Sequence, residues 1–189
     1  MARQGLSPEL VVRAGAEMAD EVGFDEVGVA ALARRLDVRT ASLYWHLQGS
    51  DDLRTRIALL ALEELADRAA DAVAGRAGKD ALAALADVHR DYSVEHPGRW
   101  SAARHPLTPE AAAGSGGVRM AQLTRAVLRG YDLPEAEETH AVRLLGSVFL
   151  GFVTLERSGS FDHSDPGPAE SWARVVDALD AVLRSWPVA

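Results

Sequence analysis

Val29-Ala30-Ala31-Leu32-Ala33-Arg34-Arg35-Leu36-Asp37-Val38-Arg39-Thr40-Ala41-Ser42-Leu43-Tyr44-Trp45-His46-Leu47 reads as two short helices across a tight turn. Apolar residues at 29, 32, 33 and 36 fit one face of the first helix, and Leu43 and Leu47 fit one face of the second. Asp37 stands between them. Asp tolerates a left-handed backbone better than most non-glycine residues, so the chain can reverse there while Val38 is buried in the angle. The unit is a helix-turn-helix. Its second helix presents Arg39, Thr40, Tyr44 and His46 outward while Leu43 anchors it from behind, and such a face suits DNA. Two amphipathic helices and a turn also occur in ordinary helical cores. DNA is favoured by the absence of acids between 38 and 50, by Arg34, Arg35 and Arg39, and by the Tyr-Trp-His cluster on a short polar face.

On the N-terminal side, Ser7-Pro8 starts a helix, with Ser7 as N-cap and Pro8 as its first residue. Val11, Ala14, Met18 and Val22 form its apolar stripe, Gly23 ends it, and Phe24 plugs the small core beneath the turn. Arg3, on the leading arm, is a candidate DNA contact set against a frayed terminus. Gly28 caps the helix that begins at Val29. On the C-terminal side Gly49-Ser50 punctuates the chain, Ser50 can cap the next helix, and Asp51-Asp52 sets negative charge in its first turn. That helix runs to about residue 74, with apolar residues on two strips, so that it links a domain 1–49 to a domain 50–189.

The remainder is expected to be helical throughout, which makes the chain all-α. Helices are expected over about 80–95, 99–104, 118–129, 134–157 and 170–186, and 108–117 is small-residue rich and expected to be mobile. From Ala141 to Leu155 nearly every position is apolar or glycine, which implies little solvent exposure. Trp172, Val175, Val176, Leu179, Val182, Leu183 and Trp186 form a packing stripe at near-heptad spacing. One small subunit could hardly bury both helices. A homodimer pairing 134–157 and 170–186 into a four-helix bundle would bury them; packing within the monomer is the alternative.

The 189 residues are 48% hydrophobic, enough for a real core in one domain or two small ones. No uninterrupted apolar stretch reaches membrane-span length and no charged-then-apolar leader opens the chain, so a cytoplasmic location and no membrane partner are expected. Cysteine is absent, which removes disulfides and thiolate chemistry. The net charge of −8 opposes non-specific affinity for nucleic acid. Residues 1–56 hold seven Arg against nine acids and residues 57–189 thirteen Lys or Arg against nineteen acids, so neither part is basic. DNA binding must use a local arginine-bearing face and helix N-termini, with weak non-specific binding and strong salt dependence.

Ser7 to Leu53 resembles the DNA-binding domain of the tetracycline-repressor-like (TetR) family of bacterial transcriptional regulators. The likeness rests on the first helix ending at Gly23-Phe24, the Val29 to Val38 unit, Leu43-Tyr44-Trp45-His46-Leu47, and Asp51-Asp52-Leu53 opening a fourth helix. Tyr92 to Trp100 and Phe149 to Phe161 are similar to the C-terminal ligand and dimerisation domain of the WHG-type subgroup, although Leu150 stands where that subgroup often has His. The resemblance implies an all-helical protein with a three-helix DNA-binding domain and a C-terminal ligand-binding and dimerisation domain. It implies a homodimer that binds double-stranded palindromic operator DNA, most often as a repressor, and is released by a small-molecule effector; no cofactor or metal is implied.

By the same resemblance, Arg39, Thr40 and Tyr44 read bases and His46 contacts phosphate. Arg can bond guanine bidentately and Thr can offer hydroxyl or methyl to base edges. Trp45 either packs on the fourth helix or lies on the sugar-phosphate backbone. The family usually has Gly at Asp37, Ser or Thr at Gly28, and often Lys at Ser50. Ser50 can still donate to phosphate, and Gln48 gains importance. Candidate effector residues are Tyr92, His96, Trp100, Arg104, Met120, Leu145, Phe149, Phe152 and Trp172, because large apolar side chains with a few polar groups on neighbouring helices make ligand sites. The effector is then a mainly apolar small molecule.

Two other readings stand beside this one. An enzyme would draw on His89, His96 and His105, or on Asp162-His163-Ser164-Asp165, but neither set has a convincing ligand arrangement and no phosphate loop, nucleophile elbow or zinc motif is present. An interaction module that kept the fold and lost DNA affinity would suit the acidic balance, Gly28 and Ser50, but leaves the basic and aromatic helix from Arg39 to His46 without a purpose.

Overall fold

The computed structural model describes residues 6–186, and among them the chain forms ten α-helices and two short 3-10 turns, with no strand. None of these helices is long and apolar enough to cross a membrane. Helix α1 (Pro8–Val22) begins as its sequence dictates: Ser7 Oγ accepts the Leu10 N–H at 3.2 Å and Pro8 takes the first helical position. Val11, Ala14 and Met18 are buried, but Val22 is 52% exposed and leaves the expected stripe. Gly23, at φ 97°, swings the chain inward there, and Phe24 closes the core below the last turn instead.

Helices α2 (Val29–Arg35) and α3 (Thr40–Leu43) make the expected angle. Asp37 adopts φ 51°. The N–H of Val38 reaches Ala33 O at 3.0 Å and that of Asp37 reaches Arg34 O at 3.3 Å, the paired bonds of a Schellman ending, with Val38 packed on the core. Regular α3 is one turn long. It continues as hydrogen-bonded turns over 44–46, where His46 N and Leu47 N both reach Leu43 O at 2.9 Å.

Helix α4 (Ser50–Val73) follows, then α5 (Gly78–Glu95), α6 (Pro97–Ala102), α7 (Pro109–Ala113), α8 (Gly116–Leu128), α9 (Glu135–Arg157) and α10 (Pro168–Arg184). The stretch expected to be mobile contains α7, capped by Thr108, whose Oγ1 accepts the Ala111 N–H at 3.3 Å. Its small residues have a packing reason: a Cβ on Gly116 would lie 2.3 Å from Leu62 O.

By packing, the chain divides into a unit of residues up to Glu64 with Tyr92–Gly117, and a second of Leu65–Asp91 with residues from Val118 on. The functional division expected at residue 49 therefore falls inside the first unit. In that unit Val11, Leu32, Leu43, Leu53, Ile57 and Ala102 share one core. Gly98 lets α6 meet α1 backbone to backbone, since a Cβ there would lie 2.0 Å from the Ala19 carbonyl.

In the second unit Ala141, Leu145, Phe149 and Val153 form one buried stripe of α9, and Trp172, Val176, Leu179 and Leu183 form that of α10. Burial of α9 is one-sided rather than complete, since Leu150, Leu155, Gly146 and Thr154 are exposed. Its high apolar content comes from two faces, of which only one is covered among the described residues. Arg90 grips Glu156 through both carboxylate oxygens, at 2.6 and 2.9 Å, and Trp172 Nε1 donates to Asp87 at 2.8 Å.

Candidate nucleic-acid interface

Leu43 and Leu47 are buried at 0% and 3% exposure and hold α3 and its following turn against the first unit's core. With those two fixed, helical geometry turns Tyr44 and Trp45 away from the core, and they are 57% and 87% exposed. Of the two places considered for Trp45, packing on the fourth helix is not what this chain adopts. Arg39, in the N-cap position of α3, is exposed, Thr40 and His46 are half-buried, and Gln48 is exposed. The chain thus brings Arg39, Thr40, Tyr44, Trp45, His46 and Gln48 onto one short segment. Arg3 lies outside the described residues.

Ser50 plays a different part from the one its position suggests. It is the first residue of α4, yet its Oγ accepts the backbone N–H of Val29 at 3.1 Å and so caps α2. Gly28, the N-cap of α2, has no side chain to do this, and a Cβ there would lie 3.2 Å from Ser50 Oγ. The entry to α4 is held instead by Asp52, whose Oδ2 accepts the Gln48 N–H at 2.8 Å while Oδ1 meets Arg56 Nε at 2.8 Å. Burial pushes the Asp52 carboxyl up, but Arg56 and the Gln48 amide outweigh it and hold the group below the ordinary carboxylate range.

The arginines near the motif are not equivalent. Arg35 is paired bidentately with Glu21, one of the bonds being 2.7 Å from Nη2 to Oε1, so its charge is largely answered. Arg34 and Arg39 are exposed and have no ion-pair partner among the described residues. Arg54 was not singled out by sequence, yet it donates to Val27 O at 3.0 Å and Asp25 O at 2.7 Å and fixes the loop that leads into α2. The local basic surface consists of fewer guanidiniums than the sequence count suggests.

The candidate effector residues fall into two sets, one in each unit. In the first unit, Tyr92 is fully buried, its hydroxyl donates to Glu64 Oε2 at 2.8 Å, and its ring lies 5.2 Å from that of His96. Burial, then the neighbouring Glu64 charge, raises the Tyr92 pKa. His96 Nδ1 stands 3.2 Å from Asp20 Oδ2. Arg99 bonds the same Asp20 through its backbone N–H at 2.8 Å and reaches Glu64 with its guanidinium at 3.2 Å. Trp100 is buried, and exposed Arg104 lies over its ring at 5.2 Å and donates to its carbonyl. The polar ends of Tyr92 and His96 are thus engaged with residues of their own unit.

In the second unit, the Trp172 ring lies 4.9 Å from Phe152 and 6.0 Å from Phe149, and Phe161 lies 5.0 Å from Phe152. Leu145 is fully buried and Met120 half-buried. His89 joins this cluster with its ring 5.4 Å from Phe149, and burial pushes its pKa down to about 4, so it is neutral at pH 7. His105 stacks edge-on to Phe24 at 5.5 Å. The three histidines considered for chemistry therefore sit in three separate environments. Among the described residues no group of three or more His, Cys, Asp or Glu is arranged to hold a metal.

Residues 11–57 match the family described as bacterial regulatory proteins, tetR family, and residues 82–179 match the tetracyclin repressor-like C-terminal domain. The chain is similar to an uncharacterized HTH-type transcriptional regulator, YobS, of Bacillus subtilis (strain 168), with 31% identity over 163 residues, covering 86% of this chain and 85% of that one. Among solved structures it is similar to a TetR variant from Acinetobacter baumannii in complex with minocycline, at TM-score 0.73 and 21% identity, covering 98% of this chain and 100% of that one. It is also similar to BioQ with its natural double-stranded DNA operator, at TM-score 0.72 and 21% identity, covering 96% of this chain and 99% of that one.

Proposed function

The chain belongs to the tetracycline-repressor-like family of helix-turn-helix transcriptional regulators, a DNA-binding and non-enzymatic family, and we propose that it acts as a homodimeric repressor released by a small, mainly apolar molecule. The observation that carries the DNA-facing part is the exposure of Tyr44 and Trp45 beside an unpaired Arg39, with Leu43 and Leu47 buried behind. Large aromatic surface left in water costs free energy that nothing in this unit recovers, and a DNA backbone covers such surface. Arg39, Thr40 and Tyr44 read base edges; Trp45, His46 and Gln48 lie along sugar and phosphate. Ser50 accepts from Val29 and keeps its own hydroxyl proton for a phosphate oxygen. Residues 1–49 serve as the DNA-binding domain, and 50–189 bind effector and partner.

The exposed faces of α9 and α10 support the dimer. Leu150 and Leu155 of α9 are 38% and 48% exposed and Val182 of α10 is 42% exposed, while Gly146, Thr154 and Ala178 leave room for close approach. A twofold copy pairing these helices into a four-helix bundle covers them. The candidate effector contacts are Phe149, Phe152 and Trp172 with Met120 and Leu145 in the second unit, and, as a separate set in the first unit, Tyr92, His96, Trp100 and Arg104. A structure of similar fold binds minocycline, which supports a ligand role for this domain. The likeness of Tyr92 to Trp100 and Phe149 to Phe161 supports reading the rear domain as one of the WHG-type subgroup, and the compartment that goes with this reading is the cytoplasm. A coupling of about 1–3 kcal/mol between effector and operator is enough for useful induction, through altered spacing of the two recognition helices.

The test is fluorescence anisotropy with duplex DNA covering the region upstream of the protein's own gene, against random duplex, at two salt concentrations. Wild-type protein is expected to prefer its own upstream DNA. An Arg39→Ala/Tyr44→Ala variant is expected to lose that preference by about tenfold or more, as loss of one good base contact implies. A folded variant that discriminates as well as wild type would overturn the assignment.

A further inference from the structure

The second unit holds a cavity of about 260 Å³ that none of the candidate effector side chains lines. It opens where α4 ends, α5 begins and α8 runs into the 3-10 turn Arg129–Tyr131. Val73, Ala81, Ala126 and Val127 supply an apolar wall, and Arg76 and Arg129 supply its charge. In a chain of net charge −8, a wall with two guanidiniums and no carboxylate is set against the average of the surface. At its edge Gly130 and Gly78 touch through their backbones, since a Cβ on Gly130 would lie 3.2 Å from Gly78 N. Gly78 itself, at φ 53°, holds a conformation that favours glycine.

The two arginines differ in how free they are. Arg76 donates to Ala72 O and also borders an open groove of about 460 Å³ whose walls carry Asp80, Asp87 and Asp91, so part of its field is answered there. Arg129 is exposed and has no ion-pair partner among the described residues. A guanidinium with its fork unoccupied beside an apolar wall selects a carboxylate that carries an apolar body, because the fork binds two oxygens at once and the wall takes the hydrocarbon. The volume lies just below the usual range of small-molecule sites and suits a ligand with few heavy atoms.

We propose that this cavity is a ligand site for a small monocarboxylate with an aromatic or short aliphatic body, its carboxylate held by Arg129 with support from Arg76. The site is separate from the effector cluster and does not depend on the DNA-binding role.

Calorimetric titration of the full chain with benzoate and hexanoate, against benzyl alcohol and hexanol, tests it. Saturable binding of the carboxylates is expected, weakened about tenfold in the alcohols and in Arg129→Ala, the loss expected when one charge-assisted contact is removed. Arg129→Lys is expected to bind with intermediate affinity, and Ala126→Phe, which fills the wall, is expected not to bind. Thermal melting shows whether each variant is folded, and Phe152→Ala marks the aromatic cluster. Absence of saturable binding to the wild type overturns the proposal, as do alcohols binding equally or a folded Arg129→Ala binding unchanged. Loss of binding in Phe152→Ala together with retention in Ala126→Phe places the ligand elsewhere and also overturns it.

Discussion

Val29 is capped by a hydroxyl twenty-one residues further along the chain, and no local pattern announces such a bond. The sequence alone offers Gly28 as the cap of α2 and Ser50 as the cap of α4, but not that Ser50 serves α2, because that pairing exists only once α4 lies beside α2. The Glu21 partner of Arg35, fourteen residues away, escaped for the same reason. Ser50→Ala is expected to cost about 1 kcal/mol of stability in urea unfolding, the usual worth of an N-cap. Gly28→Ser added to that variant is expected to restore most of the loss by returning a hydroxyl to the N-cap itself. In the wild-type background the same change crowds Ser50 and gains nothing, so the two substitutions are coupled. Simple additivity would contradict the shared cap.

His89 makes a second residue-scale prediction. Its pKa falls from 6.5 to about 4 on burial, so between those values the unfolded chain binds the proton that the folded chain refuses. Stability is then full above about pH 6.5 and declines as pH falls toward about 4, by up to about 3 kcal/mol. His89→Gln should flatten this part of the pH profile of the unfolding midpoint, whatever it does to stability at pH 7. A slope unchanged by the substitution would show that other groups carry it.

Helix starts and stops were legible because they are local. Ser7-Pro8, the acids at 51, 52, 135, 137 and 138, and Asp37 act within one turn of where they stand. Glycines were read less well, since the same residue serves as breaker and as contact surface. His96-Pro97-Gly98 looks like a break, and α6 does begin at Pro97, but the function of Gly98 is to bring α6 onto the α1 backbone. Gly98→Ala should force those helices apart and cost about 1–3 kcal/mol, the range for overpacking. Gly114→Ala, where an added Cβ meets nothing within 4 Å, is the control and should leave the thermal midpoint near wild type. Equal effects would remove the special role of Gly98. The contact is reinforced by Asp20, which takes bonds from both His96 and Arg99 of the segment it faces.

The all-helical order was legible from periodicity, and so was the segment in which buried Leu43 and Leu47 stand behind exposed Tyr44 and Trp45, the segment proposed to face DNA. An effector pocket has no such signature, because Tyr92, Trp100, Phe149 and Trp172 are the large side chains that any helical core needs, and burial alone does not separate core from pocket. The double character of α9, one face buried and one exposed, was hidden by an apolar composition that looks the same from either side. That exposed face bears on the central proposal, a twofold protein reading DNA with two α3 segments. The most direct measurement is selection from a random duplex library with the full-length protein, followed by sequencing of the bound pool. A dimeric reader enriches an inverted repeat whose half-sites are centred about one helical turn, or a multiple of it, apart on one face of the duplex. Enrichment of a single unpaired half-site, or of no sequence at all by folded protein at low salt, would contradict it.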